Sequence, residues 1–223
     1  TDHTYILGPH HPDTLNTRNN LAGAYQAAGR LSEAIPLYEQ VFSGRSRVLG
    51  PDHRSTLTAR DELAGTYREA GRIDEAITLK KQILADAMRI MGPDSPGASA
   101  ARNNLADTYR DAGRLDEAIP LYQENLDDVA QVLGPHHPET LASRHSLAGA
   151  YRDAGRLDEA IPLFEQNLTD FTRLTGPDHP ETLASRGTLA GAYQAAGRLH
   201  EAIPLFEQNL EDRTRTLGLD HPE

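Results

Sequence analysis

Two pairs of adjacent histidines are the residues of this chain whose type most directly suggests chemistry. His10-His11 and His136-His137 could supply imidazole nitrogens to a metal ion. Adjacent histidines in a loop, however, lack the i, i+4 spacing that places two ligands on one face of a helix. Both pairs also fall in a connector that recurs along the chain. The sequence therefore predicts neither a metal site nor a bound cofactor.

The sequence also shows no distinct catalytic pattern. No Ser-His-Asp order, phosphate-binding glycine loop or pair of carboxylates stands apart from the repeating pattern of the chain. The abundant carboxylates recur at fixed positions, which is typical of helix caps and surface charge. We therefore expect that the protein is not an enzyme.

The composition narrows the classes of partner. The net charge is −11, and a nucleic-acid surface needs Lys and Arg to neutralise phosphates. The chain has no cysteine, which excludes disulfides and thiolate metal sites. No apolar run approaches the roughly 18 residues of a membrane span, and no signal-peptide pattern opens the chain. We expect a cytoplasmic protein with no nucleic-acid or membrane partner.

The structural elements that position these residues are expected to recur at a fixed interval along the chain. Glycines that open a Gly-Pro type of turn recur 42 residues apart. They are Gly8, Gly50, Gly92, Gly134, Gly176 and Gly218. A period in this range is typical of a solenoid, in which one small unit is copied and stacked. Such a stack presents a long surface rather than one catalytic pocket.

The first unit is predicted to be a helical hairpin. Pro12 suits the first turn of a helix A, which we expect over roughly residues 12 to 28 and ending at Gly29. Ser32 is a good N-cap for a helix B that continues to Gly50-Pro51. Its counterparts as N-cap are Asp74, Asp116 and Asp158. Pro36 falls in the predicted first turn of helix B, so it need not break the helix.

The spacing of the apolar residues resembles a known repeat. The matching positions are Arg18, Leu21, Ala22, Tyr25, Gly29, Ala34 and Tyr38. Together they resemble the tetratricopeptide repeat, and the match recurs five times. The unit is longer than the usual 34 residues or so, and this longer variety resembles the repeats of kinesin light chains. It is also similar to the C-terminal repeats of actinobacterial signalling ATPases of the STAND class, which implies a bacterial source.

The resemblance implies an all-α fold, a right-handed superhelical solenoid of antiparallel helix hairpins. We expect one array with repeats at 8–49, 50–91, 92–133, 134–175 and 176–217. Residues 1–7 align with the end of a preceding helix B, and residues 218–223 with the start of a next repeat. The chain is therefore predicted to be a fragment of a longer array, whose uncapped ends stack on other copies.

In tetratricopeptide arrays the A helices line a concave face that binds peptides, so the resemblance implies a groove here. The first column of candidate residues is Asn19, Asp61, Asn103, His145 and Gly187. The second is Gln26, Arg68, Arg110, Arg152 and Gln194. Between them lie Gly23, Gly65, Asp107, Gly149 and Gly191. Amides and guanidinium groups can pair with a peptide backbone and its carboxylates, which favours a groove for the column as a whole, whereas any single one of these residues is more often solvated surface.

Residues present in every unit are interpreted as structural. One such column is Arg18, Arg60, Arg102, Arg144 and Arg186, and another is Glu33, Glu75, Glu117, Glu159 and Glu201. We expect them to stabilise the stack, with charge pairing across the hairpin possible. Repeat 2 departs most from the others, because Lys80 replaces the aromatic residue of helix B. Its ammonium is expected to reach water while its stem covers the neighbouring helix.

Two functions follow from these observations. The first is a protein-interaction scaffold or sensor module that binds a peptide or protein on the face of the A helices. The alternative is a structural module that assembles end to end through its uncapped terminal repeats. The candidate binding residues are Asn19, Gln26, Asp61, Arg68, Asn103, Asp107, Arg110, His145, Arg152 and Gln194.

Overall fold

The computed structural model describes residues 8–217, which contain ten α-helices and no strand. The odd-numbered helices, the A helices of the hairpins, are α1 (Pro12–Ala27), α3 (Arg54–Glu69), α5 (Pro96–Asp111), α7 (Pro138–Asp153) and α9 (Pro180–Ala195). The even-numbered helices, the B helices, are α2 (Leu31–Leu49), α4 (Ile73–Met91), α6 (Leu115–Leu133), α8 (Leu157–Thr175) and α10 (Leu199–Leu217). The all-α architecture of helical hairpins is confirmed.

Local chemistry sets both ends of the A helices. In α1, Pro12 occupies the first turn, and the side chain of His11 caps the helix by accepting a hydrogen bond from the Asp13 N–H. At the other end Gly29 has φ of +70°, and the N–H of Arg30 bonds to the carbonyl of Tyr25 at 2.8 Å. This is a Schellman motif, in which glycine allows the left-handed residue that stops the helix. The predicted bounds are correct to within one residue.

The predicted N-caps of the B helices are wrong. Helix α2 begins at Leu31 with Arg30 as its N-cap, and no side chain caps it. Ser32 therefore lies inside the first turn, where its hydroxyl donates to Glu33 at 2.7 Å. The predicted N-caps Asp74, Asp116 and Asp158 lie inside α4, α6 and α8 in the same way. The reason is that the Schellman turn already brings the Arg30 carbonyl into bonding distance of the Ala34 N–H, at 3.1 Å.

Pro36 consequently lies at the sixth residue of α2 rather than in its first turn, and the helix still runs unbroken to Leu49. Proline removes only the hydrogen bond to the carbonyl four residues earlier, here that of Ser32. Both residues are exposed. The expectation that Pro36 does not break the helix is confirmed.

The chain divides into two compact units, whose described parts are residues 8–113 and 114–217. The first unit buries a core of Ala22, Ala34, Ile35, Tyr38, Leu63, Tyr67 and Ala76. The second buries Ala148, Ala160, Ile161, Phe164, Leu189, Ala192, Tyr193 and Ala202. Several alanines in both cores are fully buried, so helices that cross closely provide a core with few aromatic residues.

None of the helices within residues 8–217 is both long enough and apolar enough to cross a membrane.

Candidate functional site

The candidate residues of each A helix follow one helical stripe. In α3, Asp61, Gly65 and Arg68 are spaced i, i+4 and i+7, so their side chains share one face of the helix. The equivalent residues occupy the same register in α1 and α5 of the first unit, and in α7 and α9 of the second. A column is available to a binding partner only to the extent that its side chains are not already in contact with other residues.

Two members of the first column contact helix B of their own hairpin, and a third bonds within its own helix. The ring of His145 packs edge to face on Phe164 with centroids 5.5 Å apart. Asp61 Oδ1 lies 2.7 Å from Lys80 Nζ. Asn103 Nδ2 donates to Asp107 Oδ2 at 3.3 Å. His145 and Asp61 therefore help to hold their hairpins together as well as facing the A-helix surface.

Asn19 differs from the other members of the column. Its Oδ1 is buried and accepts no hydrogen bond from the described residues. An acceptor in this state is unfavourable unless water or a bound molecule supplies a donor. Asn19 is thus the candidate residue with an unused hydrogen-bonding group.

The expectation that the Lys80 ammonium reaches water is wrong. The Lys80 side chain is only 10% exposed, and its ammonium bonds to the carboxylate of Asp61, which is 56% exposed. A buried ammonium needs a counter-ion because desolvation of an isolated charge costs several kcal/mol. At these two registers repeat 2 therefore has an ion pair where repeat 4 has the ring contact of His145 with Phe164.

The second column links one A helix to the next. In the first unit Gln26 Nε2 donates to Glu69 Oε1 at 2.9 Å, and Arg68 Nη1 donates to Asp111 Oδ2 at 3.0 Å. Each partner lies 43 residues further along, on the following A helix. Gln26 also accepts a hydrogen bond from the Tyr38 hydroxyl at 3.0 Å. Both of these links between A helices are exposed, but a partner must exchange with their hydrogen bonds.

The remaining members of the second column do not share one kind of contact. In the second unit Arg152 pairs with its neighbour Asp153 at 3.2 Å, and Gln194 is exposed. Arg110 is half-buried in the first unit. Sequence reasoning missed Glu69 and Asp111 as partners of the column, although a spacing of 43 residues, one repeat plus one residue, was the signal that could have found them.

Three of the glycines between the two columns have room for a side chain, whereas Gly149 is buried. A Cβ added at Gly65 or Gly191 would have no atom within 4 Å, and one at Gly23 would meet only the Tyr38 hydroxyl at 3.5 Å. Both Gly65 and Gly191 lie inside helices, where glycine costs about 1 kcal/mol relative to alanine. The fold therefore does not require glycine at these two positions.

Sequence reasoning also missed a further column on this face. Its residues lie three positions before the first column and are exposed in every repeat. They are Asn16, Thr58, Ala100, Ala142 and Ala184. Because residues three apart neighbour each other on a helix, they extend the same stripe by one turn. The register of the first column, moved back by three residues, was the available signal.

The repeated arginines are buried in most hairpins and pair there with an aspartate of helix B, but Arg18 is half-buried and donates to the carbonyl of Pro9 at 3.2 Å. Arg144 Nη1 lies 2.8 Å from Asp170, and Arg60 pairs with Asp86 in the same manner. Burial alone raises the pKa of Asp86, but hydrogen bonds from Arg89 and Arg60 outweigh it and hold the pKa below its ordinary value. This column therefore acts inside the hairpin.

The repeated glutamates pair within the turn instead. Glu33 accepts from Arg30, three residues before it, at 2.7 Å. The hydrogen bonds from Ser32 and then from Arg30 hold the pKa of Glu33 below its ordinary value. The same turn arginine stacks on the tyrosine of helix A, with Arg30 4.5 Å from the Tyr25 ring centroid. The glutamate column thus secures the A-to-B turn.

The tyrosines of the motif join consecutive hairpins. The Tyr67 hydroxyl donates to Glu39, on helix B of the preceding repeat, at 2.7 Å. Burial, together with this hydrogen bond to Glu39, raises the pKa of Tyr67 to about 12. Burial and the contact with Glu165 raise the pKa of Tyr193 to about 12 in the second unit. These phenols are part of the stacking contacts rather than of a binding face.

The histidine pairs have structural contacts. His137 Nδ1 accepts from the Glu139 N–H at 3.2 Å, and His136 Nδ1 lies 3.0 Å from Asp170. Within residues 8–217 no three His, Asp or Glu side chains are grouped so that they could hold a metal ion.

Comparison with known proteins identifies the repeat. The family model described as Tetratricopeptide repeat matches residues 4–45, 13–89, 62–127, 97–168 and 145–215, which together span most of the chain. The chain belongs to the tetratricopeptide repeat family. Several of the motif residues on which the resemblance rested lie in the buried cores described above, as Leu63, Tyr67 and Ala76 do.

Solved tetratricopeptide structures identify the variety. The chain is 35% identical to the nearly identical TPR-like repeats of a candidate kinesin light chain from Podosopora anserina, covering 93% of this chain and 99% of that one, with a TM-score of 0.80. BtubC (BKLC) from P. vanneervenii shares the fold at 21% identity and a TM-score of 0.72, covering 95% of this chain and 84% of that one. The resemblance to kinesin-light-chain repeats is confirmed.

A curated relative matches over a shorter segment. Protein KINESIN LIGHT CHAIN-RELATED 2 of Arabidopsis thaliana is 55% identical over 38 residues, which is 17% of this chain and 6% of the Arabidopsis protein. The match therefore spans less than one tetratricopeptide unit of 42 residues.

Proposed function

We propose that this tetratricopeptide array is a scaffold or sensor module, without catalytic activity, that binds a peptide or protein segment on the face of its A helices. The observation that carries the proposal is the open space above Gly65 and Gly191. Glycine destabilises a helix, and neither position needs it for packing. A close approach by the backbone of a partner is a use for this space that side chains would block.

The surroundings of the glycines suit an extended segment. In the first unit the exposed pairs Gln26–Glu69 and Arg68–Asp111 flank the open register. Amide and guanidinium groups can form hydrogen bonds with backbone carbonyls and carboxylates of a partner. In the second unit Ala142 and Ala184 leave the neighbouring surface shallow. Asn103, Asp107, Arg110, His145, Arg152 and Gln194 complete the proposed contact set together with Asn19 and Asp61.

The experiment uses glycine substitutions that fill the space without harming the fold. Gly65→Gln and Gly191→Gln should raise thermal stability, because glutamine favours a helix and has room at both positions. Peptides selected from a random phage library on the wild-type array should lose binding to these variants. The matched control is Ser43→Gln on the exposed side of α2. Equal binding to wild type and glycine variants would place the partner surface elsewhere.

A second candidate function is assembly end to end with other copies, and one observation favours it. Leu199, Ile203, Phe206 and Leu210 of α10 are 40–69% exposed, whereas their counterparts one repeat earlier pack into the core of the second unit. Leu21 of α1 is likewise 46% exposed, whereas Leu63 is buried. Another copy could cover both apolar faces.

Light scattering across a concentration series separates the two functions. Self-assembly predicts a mass that rises with concentration and that returns to the monomer in a Phe206→Lys variant. The glycine variants should leave this self-assembly unchanged. The variants Arg68→Glu, Arg110→Glu and Arg152→Glu should impair peptide capture and leave end-to-end association intact. A constant monomer mass would remove the second function.

We further propose that the array serves in the cytoplasm as the sensor segment of a bacterial signalling ATPase of the STAND class. The support is the resemblance of the 42-residue repeats to the C-terminal repeats of such proteins. The full-length gene sequence tests this proposal, since a neighbouring ATPase domain is expected.

A further inference from the structure

Histidine caps the start of most A helices. In each case the imidazole Nδ1 accepts a hydrogen bond from the backbone N–H two residues further on, at 3.1–3.3 Å. The four caps are His11, His53, His137 and His179. The remaining A helix of residues 8–217, α5, is capped by Ser95, whose hydroxyl accepts from the Ala98 N–H at 3.1 Å.

A histidine cap works in only one protonation state. Nδ1 can accept a hydrogen bond only while it carries no proton, so the neutral ring must be the Nε2–H tautomer. A proton on Nδ1 turns the acceptor into a donor that faces another donor. It also places a positive charge at the helix N-terminus, which is already the positive end of the helix dipole. A serine cap has no such dependence.

We propose that the four histidine caps form an acid-sensitive device that loosens the first turns of α1, α3, α7 and α9 while α5 remains capped. In unfolded peptides imidazole takes up a proton near pH 6.5. A proton on Nδ1 removes the cap hydrogen bond from the folded chain, whereas the unfolded chain has no such bond to lose. By linkage, the stability that the caps contribute is present at neutral pH and is lost as the pH falls.

The charged side chains near each histidine predict how sensitive each of the four caps is to acid. A protonated His11 can pair with Asp13, 3.7 Å from Nδ1, and a protonated His179 with Glu181 at 3.8 Å. His137 is likewise followed two residues later by a carboxylate, whereas His53 is followed by Ser55. Helix α3 should therefore be the most acid-sensitive.

Other nearby carboxylates are already engaged by arginine. Asp52, next to His53, is bound by Arg89, and Asp178, next to His179, pairs with Arg215. His136, next to His137, contacts Asp170, which Arg144 also binds. These groups therefore offer no free counter-ion to the protonated caps.

Amide hydrogen exchange measures the caps one at a time. Between pH 7.5 and 5.5, after correction for intrinsic rates, protection of the Ser55 amide should fall several-fold, and protection of the Ala98 amide should not change. Nitrogen NMR of the wild-type chain should find the four caps as Nε2–H tautomers at neutral pH. Nδ1–H tautomers, or equal pH dependence at Ser55 and Ala98, would overturn the proposal.

Thermal unfolding measures the combined contribution of the four caps to stability. Losing four caps should lower Tm by on the order of 5–10 °C between pH 7.5 and 5.5. Replacing all four caps by serine, as at position 95, should at least halve this decrease. The matched control, His10→Gln with His200→Gln, removes two histidines that cap no helix and should retain it. If the serine variant showed the same decrease in Tm as the wild type, the proposal would be refuted. If the fourfold variant does not fold, the test is repeated with His53→Ser alone, by measuring hydrogen exchange at the Ser55 amide.

Discussion

The ion pair of Lys80 and Asp61 provides a sharp test of how the hairpin of repeat 2 is stabilised. Three variants complete a cycle: Asp61→Asn, Lys80→Tyr and both together. The double variant gives repeat 2 the residues that repeat 3 has at the same registers, Asn103 and Tyr122. Tyr122 is fully buried in its own hairpin, which shows that this register accommodates a tyrosine.

The expected magnitudes follow from exposure. Asp61 is 56% exposed, so the pair contributes less than a fully buried one, and Asp61→Asn should lower the free energy of unfolding by about 1–2 kcal/mol. The same change in the Lys80→Tyr background leaves no ammonium without a partner and should cost about 0–0.5 kcal/mol. An aromatic side chain buried in place of lysine contributes about 2–3 kcal/mol. The double variant should therefore be more stable than the wild type.

Urea unfolding followed by circular dichroism measures the four free energies. A stability change of about 1 kcal/mol corresponds to roughly 2–4 °C in Tm for a chain of this size, so thermal scans provide an independent check. If Asp61→Asn had the same effect in both backgrounds, Lys80 would not depend on Asp61. That result would refute the reasoning that repeat 2 replaces an aromatic contact with an ion pair.

Three further predictions concern single contacts. Asp170→Asn removes the carboxylate partner of the buried Arg144 and should lower the free energy of unfolding by about 2–3 kcal/mol; an unchanged urea midpoint would contradict this. Because the pKa values of Tyr67 and Tyr193 are raised to about 12, their burial stabilises the fold below pH 10, and this contribution is lost as the pH rises to 12. Absorbance at alkaline pH should show Tyr67 and Tyr193 among the late-ionising tyrosines, and Tyr67→Phe should lower the amplitude of the late step by one tyrosine. Pro36→Ala restores a backbone donor inside α2 and should stabilise the protein by about 1 kcal/mol, whereas a lower Tm would indicate that proline favours the turn.

Local chemistry made the helix bounds predictable, except where two signals competed. Pro12 and Gly29 bracket α1 because proline suits a first turn and glycine permits the positive φ that ends a helix. The N-cap was wrongly predicted at Ser32, because N-cap propensity describes the preference of a single side chain and not the geometry of the turn that precedes it. The turn geometry, which is set by hydrogen bonds from the preceding helix, started α2 one residue before it.

The contacts of the candidate site were less predictable than its register. The stripe of Asp61, Gly65 and Arg68 follows from helical spacing, and the structure places these residues as that spacing requires. Their partners depend on how hairpins stack. Sequence spacing within one helix could not indicate that Arg68 meets Asp111 or that Lys80 turns back to Asp61. The Lys80 prediction failed because a pair formed across two helices outweighed the preference of an ammonium for water.

The contacts also decide where new specificity can arise on the A-helix face. A change in the first column must be matched on helix B of the same hairpin, as Asp61 is matched by Lys80, or it costs stability. A change in the second column must be matched on the next A helix, as Arg68 is matched by Asp111. A side chain begun at Gly65 would meet no atom within 4 Å of its Cβ, so this position has no such constraint. Side chains introduced at the glycine register should therefore alter partner binding with little effect on folding, whereas equal changes in either column should alter both.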